Sequence, residues 1–475
     1  MIAQLLNRKF VLEQMEAIQA QLTEDVSQQR YGGAEAPLGP GDYEEALAHV
    51  GRAIDQERRE STGQPSFAPD DRRRDGERPA ELDDFAFLSR DPIVSIVQSA
   101  LEQHLERRES GAELIQTEPA DDRRRGDNAP PVVTDLSLKD CEPQRDPGDG
   151  RRVFDRFSIT DVGWVSSKVA EGIRLFRSRR PFTEKPAPPV EINDGARIIL
   201  VGDWGSGIPR AQKVATAMGY EVRASLNRNQ EVHVVHLGDV YYSGWAYEYR
   251  KRFLPYWPVK PEYAARAGSW CLNGNHDMYS GGYGYFDTLL KDPRFARQGQ
   301  ASFFRLFNKH WQILGLDTAW DDNGLKDPQS SWVRDVLEKN RQKAIMLTHH
   351  QLFSVFEDGP DVGIVLRDKL QRVLDENRIH TAFFGHEHRC VLYKSGTVKY
   401  ARLIGHGGVP VYMTHGIDDP YPPLVSYEYR RYTTSSFGLE HWALFGFAVL
   451  DFDGPRIHVR YVDEDGDTHK EETIE

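Results

Sequence analysis

The chain has 475 residues, with 60 Lys and Arg against 73 Asp and Glu, so its formal net charge is −13. A chain this acidic is a poor default binder of nucleic acids and anionic membranes, and no stretch of about 18 apolar residues predicts a membrane span. Three cysteines are too few for a disulfide framework. Glu13 and Glu16 interrupt the first apolar stretch, which would have to be continuous in a secretory signal. We therefore expect a reduced, cytoplasmic compartment.

Residues 1–190 are predicted to form a helical N-terminal region with charged, partly disordered tethers. The spacing of apolar residues predicts four helices, at Ile2–Leu22, Tyr43–Glu60, Pro92–Glu109 and Ile159–Phe176. The second and third helices both end in Glu-Arg-Arg-Glu-Ser, and each is followed by a tether with Asp-Asp-Arg-Arg-Arg, so an internal duplication and a chance recurrence are both open. The function of this region is unknown: a module that binds a protein partner and a flexible regulatory tail are both open.

Beyond a proline-containing linker at 178–194, the pattern changes to short apolar runs. The runs have the length and the β-branched or aromatic content of strands: Ile198–Val201, Val232–Leu237, Trp270–Leu272, Ile313–Leu316, Ile345–Leu347, Thr381–Phe384, Leu403–Ile404, Phe445–Leu450 and Ile457–Val462. Residues from Pro209 to Asn227 are predicted to form a helix with proline in its first turn. Strands that alternate with helices predict an α/β domain at residues 191–475, with its functional residues in loops at the carboxyl ends of strands.

Five of the predicted strands run into clusters of residues that can bind metal ions. The clusters are Asp203, Asp239, Asn275 with His276 and Asp277, His349 with His350, and His386 with His388. The first three begin at positions 203, 239 and 275, in steps of 36 residues, which is long enough for a strand–helix–strand unit to return to the same sheet edge. Each cluster alone is more typical of a turn, a helix cap or a buried polar residue, but five in this order indicate a metal site.

These side chains have the chemistry that a pair of cations requires. Carboxylate and amide oxygens bind hard cations, and imidazole nitrogens bind borderline transition metals. Two neighbouring cations repel each other, so they need an anionic ligand in common, and an aspartate can bridge them with its two carboxylate oxygens.

The five blocks resemble the calcineurin-like metallophosphoesterase superfamily, over roughly residues 197–410. The family pattern is Asp-x-His, Gly-Asp, Gly-Asn-His-Asp/Glu, a histidine after a strand, and Gly-His-x-His. Here Gly205 replaces the first histidine and Tyr242 stands three residues after Asp239, and both features resemble the purple acid phosphatase branch. The lack of an Asp-Arg-Gly block argues against the Ser/Thr protein phosphatase branch. The resemblance implies a four-layer α-β-β-α sandwich, a metallophosphoesterase domain, at residues 191–475.

The resemblance also implies a set of ligands for two metal ions. It assigns Asp203, Asp239, Tyr242 and His388 to the first ion, and Asp239, Asn275, His349 and His386 to the second. The expected cofactor is iron paired with iron, manganese or zinc, because a tyrosine phenolate favours trivalent iron. His276 is implied as the general acid, and Asp277 is implied to orient the imidazole of His276.

The implied function is hydrolysis of phosphate esters by attack of a metal-bound hydroxide, with phosphomonoesters favoured. His350 and His406 are predicted to contact the substrate, with a purely structural role open for each. A phosphodiesterase acting on cyclic nucleotides or nucleic acid also stays open, although the acidic chain argues against nucleic acid. The alternative outside enzymes is a scaffold whose helical region binds a protein. Cys271 and Cys390 are predicted to be small, buried hydrophobic residues.

Overall fold

The computed structural model of the chain describes residues 6–31, 38–61, 87–109, 162–356, 362–411, 413, 416–434 and 441–475. These residues belong to two compact units, one with the N-terminal helices and one that begins at Leu175 and runs to Glu475. The predicted tethers, with their Asp-Asp-Arg-Arg-Arg strings at 70–74 and 121–125, lie outside the described residues.

The predicted N-terminal helices are all present. They are α1 (Arg8–Ser27), α2 (Pro40–Ser61), α3 (Pro92–Glu109) and α4 (Val162–Arg177). Helix α1 begins at Arg8 because Asn7 caps it: the side-chain oxygen of Asn7 accepts a hydrogen bond from the backbone N–H of Phe10 at 2.7 Å. The predicted apolar face of α1 is buried at Val11, Met15, Ile18 and Leu22, so packing rather than helix propensity stabilises it.

The second unit consists of strands and helices, and it contains every strand predicted from the sequence. The strands are β1 (Val190–Glu191), β2 (Arg197–Val201), β3 (Val232–His236), β4 (Ala267–Cys271), β5 (Phe304–Phe307), β6 (Trp311–Gly315), β7 (Lys343–Thr348), β8 (Ile379–Phe384), β9 (Cys390–Tyr393), β10 (Tyr400–Ile404), β11 (Val425–Glu428), β12 (Tyr432–Thr434), β13 (His441–Ala443), β14 (Gly446–Asp453), β15 (Arg456–Asp463) and β16 (Thr468–Ile474). The α-helices are α5 (Pro209–Asn227), α6 (Ala246–Glu248), α7 (Asn275–Tyr279), α8 (Gln329–Lys339) and α9 (Ile364–Asp375). Among the helices described in either unit, none combines the length and the apolar composition needed to cross a bilayer.

Two large sheets form a sandwich of four layers. The larger sheet has the order β1-β5-β6-β7-β8-β10-β9-β11 and the smaller has the order β16-β15-β14-β2-β3-β4. Alternate side chains of a strand face opposite sides, so Ile199 and Val201 of β2 pack in the same core as Val214 of α5, whereas Ile198 and Leu200 pack between the sheets. The outer face of the larger sheet packs against α8 and α9. The predicted α-β-β-α architecture is therefore confirmed.

Residues 175–190 belong with the second unit, although the sequence assigns them to the N-terminal region. The guanidinium of Arg179 donates a hydrogen bond to the carbonyl of Trp320 at 2.6 Å, and the N–H of Ala187 donates to the carbonyl of Phe303 at 3.0 Å. Strand β1 then pairs with β5 in parallel. These contacts, which proline content does not reveal, hold the segment in the unit of the larger sheet.

The predicted metal-binding residues follow the carboxyl ends of parallel strands in both sheets. Strands β2, β3 and β4 run parallel in the smaller sheet, and β6, β7 and β8 run parallel in the larger one. Asp203, Asp239 and Asn275 follow β2, β3 and β4, while His349 and His386 follow β7 and β8. Loops from both sheets therefore contribute to the site described next.

Candidate metal centre

Three of the predicted ligands have a backbone conformation that residues other than glycine usually avoid. Asp203, Asp239 and His386 have φ values of 57°, 75° and 74°, in the left-handed region. Strain of this kind costs on the order of 1–3 kcal/mol per residue and concentrates at functional sites. The strain is therefore an indication, separate from the residue types, that these loops hold their side chains in place for a function.

One half of the site gathers around the hydroxyl group of Tyr241. The Tyr241 Oη atom lies 3.1 Å from Oδ1 of Asp203, 3.1 Å from Oδ2 of Asp239 and 3.1 Å from Nε2 of His388. The Nε2 atom of His388 is also 3.5 Å from Oδ1 of Asp203. We call Asp203, Asp239, Tyr241 and His388 the first ligand group.

The other half of the site, the second ligand group, is formed by Asp239, Asn275, His349 and His386. The Nε2 atom of His349 lies 3.0 Å from Oδ1 of Asn275, 3.4 Å from Oδ2 of Asp239 and 3.3 Å from Nδ1 of His386. The Nδ1 atom of His386 lies 3.1 Å from Oδ1 of Asn275. The other ring nitrogen of His349 is 3.1 Å from the carbonyl of Leu237, which favours a proton on Nδ1 and leaves the Nε2 lone pair facing the group.

Asp239 faces both ligand groups with a single oxygen atom. Its Oδ2 is the atom near Tyr241 and His349, whereas its Oδ1 accepts a hydrogen bond from the backbone N–H of His276 at 2.9 Å. The sequence suggested a bridge through both carboxylate oxygens. The structure differs because the loop of His276 already occupies one of them.

The structure places Tyr241, rather than Tyr242, in the first ligand group. The ring of Tyr242 is buried, with the guanidinium carbon of Arg252 at 5.1 Å from its centroid, and its carbonyl oxygen lies 2.6 Å from Nδ1 of His276. The geometry therefore favours Tyr241 as the tyrosine of this group, and the tyrosine ligand stays a prediction. The residue two positions after Asp239 carries the hydroxyl that reaches the carboxylates.

The carboxylates of the site are buried close together, which perturbs their ionisation. Burial, with the nearby charge of Asp239, raises the pKa of Asp203 to about 7. Burial acts against a charged His349, but the carboxylates of Asp239 and Asp203 outweigh it and raise the pKa of His349 to about 9. Burial also acts to raise the pKa of Asp239, yet His349 and His276 hold it well below its usual value. A cation held between the carboxylates of Asp203 and Asp239 would offset their mutual repulsion.

His276 lies beside the first ligand group. Its ring centroid is 4.5 Å from that of Tyr241 and 4.7 Å from that of Tyr279. Its Nδ1 atom is 2.6 Å from the carbonyl oxygen of Tyr242, so the ring is oriented by a backbone group. This differs from the expectation that the carboxylate of Asp277 orients the imidazole.

Asp277 instead joins the loops that carry the ligands. Its Oδ2 accepts hydrogen bonds from the backbone N–H groups of Asp239 at 2.8 Å and Gly274 at 2.6 Å, and its Oδ1 accepts one from the hydroxyl of Tyr249. Burial raises the pKa of Asp277 to about 7, and the charge of Asp239 adds to this. Asp277 therefore positions the loops after β3 and β4 relative to each other.

The two predicted substrate residues lie in different surroundings. The ring of His350 is 4.7 Å from that of His386, and its Nδ1 is 3.0 Å from the hydroxyl oxygen of Thr318. His406 is only 3 % exposed and borders a small cavity together with His388. A substrate contact stays a prediction for both histidines.

Sequence reasoning missed several residues that hold the site in shape. Tyr279 accepts a hydrogen bond at its hydroxyl oxygen from Nδ2 of Asn275 at 2.6 Å, which turns the amide oxygen toward the histidines. The carboxylate of Glu248 accepts hydrogen bonds from the backbone N–H groups of Ser243 and Trp245. No sequence motif identifies Tyr279 or Glu248. Glu248 binds backbone N–H groups, and the hydroxyl of Tyr279 binds Asn275 only at the amide nitrogen.

Part of this chain matches a known protein family. Residues 196–390 match the family described as calcineurin-like phosphoesterase. That match supports the superfamily and does not distinguish its branches, so the likeness to purple acid phosphatases stays a prediction. No curated protein matches the chain.

The solved structures that the comparison found share little sequence with this chain. GAP50, the anchor in the inner membrane complex of Plasmodium, is 14% identical with a TM-score of 0.40, and the match covers 59% of this chain and 88% of that one. A dimetal phosphatase from Danio rerio is 14% identical with a TM-score of 0.36, with 61% and 99% covered. A Vps29 mutant from Entamoeba histolytica is 13% identical with a TM-score of 0.24, with 58% and 98% covered.

Proposed function

We propose that residues 191–475 form a phosphoesterase that uses two metal ions, one in each ligand group. The observation that carries this proposal is the meeting of both groups at one atom, Oδ2 of Asp239. A shared anionic oxygen is what two neighbouring cations need to offset their repulsion. The match of residues 196–390 to a phosphoesterase family supports the reaction class.

The donor atoms suit first-row transition metals. The first group offers two carboxylates, a phenol and an imidazole, and the second offers a carboxylate, an amide oxygen and two imidazoles. A phenolate with carboxylates favours a trivalent ion, and two imidazoles favour a divalent one. We therefore propose iron in the first group, with iron, manganese or zinc in the second.

The chain itself contributes orientation and proton transfer. When bound, the two ions activate a water molecule for attack on phosphorus and neutralise charge on the phosphate oxygens. The carbonyl of Tyr242 accepts a hydrogen bond from Nδ1–H of His276, so in the protonated ring Nε2–H is the group that gives its proton to the leaving-group oxygen, which departs as the alcohol. By accepting a hydrogen bond from the backbone N–H of Asp239, Asp277 holds the loop of His276 against the loop of Asp239.

The tyrosine assignment is tested by a pair of matched variants, Tyr241→Phe and Tyr242→Phe. We expect Tyr241→Phe to abolish the visible phenolate-to-iron absorption band and to weaken one ion by about tenfold or more, because the variant removes the oxygen at the first ligand group. Tyr242→Phe should keep both the band and the metal content. Absorption spectra and elemental analysis of the two proteins measure this.

A result in which Tyr242→Phe alone loses the band would return the ligand role to Tyr242. If the wild-type protein is colourless and active with two ions other than iron, the two-metal site stands, but the assignment of iron bound by a phenolate is wrong.

The reaction class is tested with two esters that share one leaving group, p-nitrophenyl phosphate and bis(p-nitrophenyl) phosphate. We propose phosphomonoesters as the substrates, so the monoester should be hydrolysed faster, in a reaction that chelation abolishes and metal restores. A faster reaction with the bis-ester would favour the phosphodiesterase instead. A protein with two bound ions that hydrolyses neither ester would count against the proposed function.

A further inference from the structure

A second cluster of potential ligands lies outside the candidate metal centre. The Sγ atom of Cys390 and one ring nitrogen from each of His406 and His469 all lie within 4.8 Å of one another. Cys390 begins β9, His406 lies two residues beyond β10, and His469 is the second residue of β16. The cluster therefore joins the larger sheet to the edge strand of the smaller one.

Two of these side chains have buried nitrogens that the protein does not satisfy. Neither ring nitrogen of His406 has a hydrogen-bond partner among the described residues, and His406 is 3 % exposed. The Nε2 atom of His469 is also buried, without a hydrogen-bond partner in the same part of the chain. Buried imidazoles are almost always hydrogen-bonded or bound to a metal, because burial removes their water. Unsatisfied nitrogens that converge on a thiol indicate a missing ligand.

The remaining contacts of His469 hold its ring in a conformation suited to metal binding. Its Nδ1 lies 2.8 Å from the hydroxyl oxygen of Tyr427, whose hydroxyl hydrogen can reach the carbonyl of His469 at 3.5 Å. With the proton on Nδ1, the lone pair is on Nε2. The ring also stacks on Tyr429, with centroids 3.6 Å apart and planes 13° apart. An outer hydrogen bond of this kind is what fixes the tautomer of histidines that bind metals.

We propose that Cys390, His406 and His469 bind one divalent cation of borderline softness, Zn²⁺, at a site separate from the two ligand groups. One thiolate and two imidazoles are ligands that zinc prefers, at about 2.3 Å and 2.0–2.1 Å. On binding, the Cys390 thiol exchanges its proton for the metal, and the proton leaves to solvent.

The proposed site has a structural consequence for the candidate metal centre. Cys390 is two residues from His388, which belongs to the first ligand group. A zinc ion that ties Cys390 to β16 would hold this loop against the smaller sheet. The inference does not depend on the proposed phosphoesterase activity, because zinc binding here is measured directly.

The test is cobalt substitution of the full chain after chelation of its metals. We expect Co²⁺ to produce a thiolate-to-cobalt charge-transfer band in the near ultraviolet, since a sulfur ligand is required for it. Cys390→Ser should abolish the band. Cys271→Ser, which changes another buried cysteine in the same way, should retain it, and so should Asp239→Asn, which disrupts the other centre. Circular dichroism confirms that each variant is folded.

Zinc X-ray absorption of the unaltered protein gives a second measurement that does not depend on any variant. The ligands of the two other groups are all oxygen or nitrogen, so a sulfur neighbour at about 2.3 Å identifies a cysteine site. A band that survives in Cys390→Ser, or zinc surrounded only by oxygen and nitrogen in the wild type, would overturn the proposal.

Discussion

Replacing Asp239 with asparagine is expected to remove bound metal and phosphoesterase activity together. Asp239 presents one oxygen to both ligand groups, at 3.1 Å from Tyr241 Oη and 3.4 Å from His349 Nε2. Asparagine has nearly the same shape but no negative charge, so two cations lose the anion that offsets their repulsion. Metal catalysis contributes several kcal/mol, and each 1.36 kcal/mol is tenfold in rate, so we expect a loss of roughly a thousandfold or more.

The matched control for this change is Asp287→Asn. Asp287 is a partly exposed carboxylate, 3.1 Å from Lys291, in the same unit of the chain. Its replacement removes one negative charge from a residue outside both ligand groups and should leave metal content and activity unchanged. Elemental analysis and ester hydrolysis are measured on the same preparations. An Asp239→Asn protein that keeps both ions would contradict the shared-ligand assignment.

His276→Ala is expected to reduce turnover by about a hundredfold or more while both ions stay bound. The ring of His276 lies against Tyr241, and its Nδ1 contacts a backbone carbonyl rather than either ligand group. The loss should depend on the leaving group. An alkyl phosphate, whose alcohol needs a proton, should lose far more rate than p-nitrophenyl phosphate, whose phenolate leaves without one.

His350→Ala is the control, because His350 adjoins the second ligand group and not the first. If His350 only contacts the substrate or packs against its neighbours, replacing it should change the hydrolysis rates of both esters by the same factor. A His276→Ala enzyme with equal losses on the two esters would assign His276 to binding instead of acid catalysis.

The convergence of the metal-binding residues was predictable from the sequence for a physical reason. Asp203, Asp239 and Asn275 each follow a short apolar strand, and their spacing allows a strand–helix–strand return. Parallel strands end at the same edge, so residues after them meet. His349 and His386 follow parallel strands of the other sheet. The structure brings Nε2 of His349 and Nδ1 of His386 within 3.5 Å of each other.

The choice between Tyr241 and Tyr242 could not be predicted in the same way. Alternation of side chains between two faces holds within a strand, and β3 ends at His236. Beyond that residue the chain forms an irregular loop, in which both tyrosines are buried. Counting residues from Asp239 therefore does not decide which of the two phenols faces the carboxylates.

The role of Asp277 was equally hidden, because its partners are backbone N–H groups. Such donors are present in every residue except proline, so the sequence carries no sign of which ones a carboxylate will bind. The cluster of Cys390 with His406 and His469 was missed because β16 was not predicted, and its pairing with β15 brings His469 to the site. The two roles considered for residues 1–190, a module that binds a partner and a regulatory tail, both stay predictions.

We expect two ions to share Asp239 at the strand ends of both sheets. Anomalous scattering from crystals of the metal-loaded protein locates the ions themselves. We predict two peaks, one in contact with Asp203, Tyr241 and His388 and the other with Asn275, His349 and His386, with Oδ2 of Asp239 between them. A single peak, or two peaks without Asp239 in common, would contradict it.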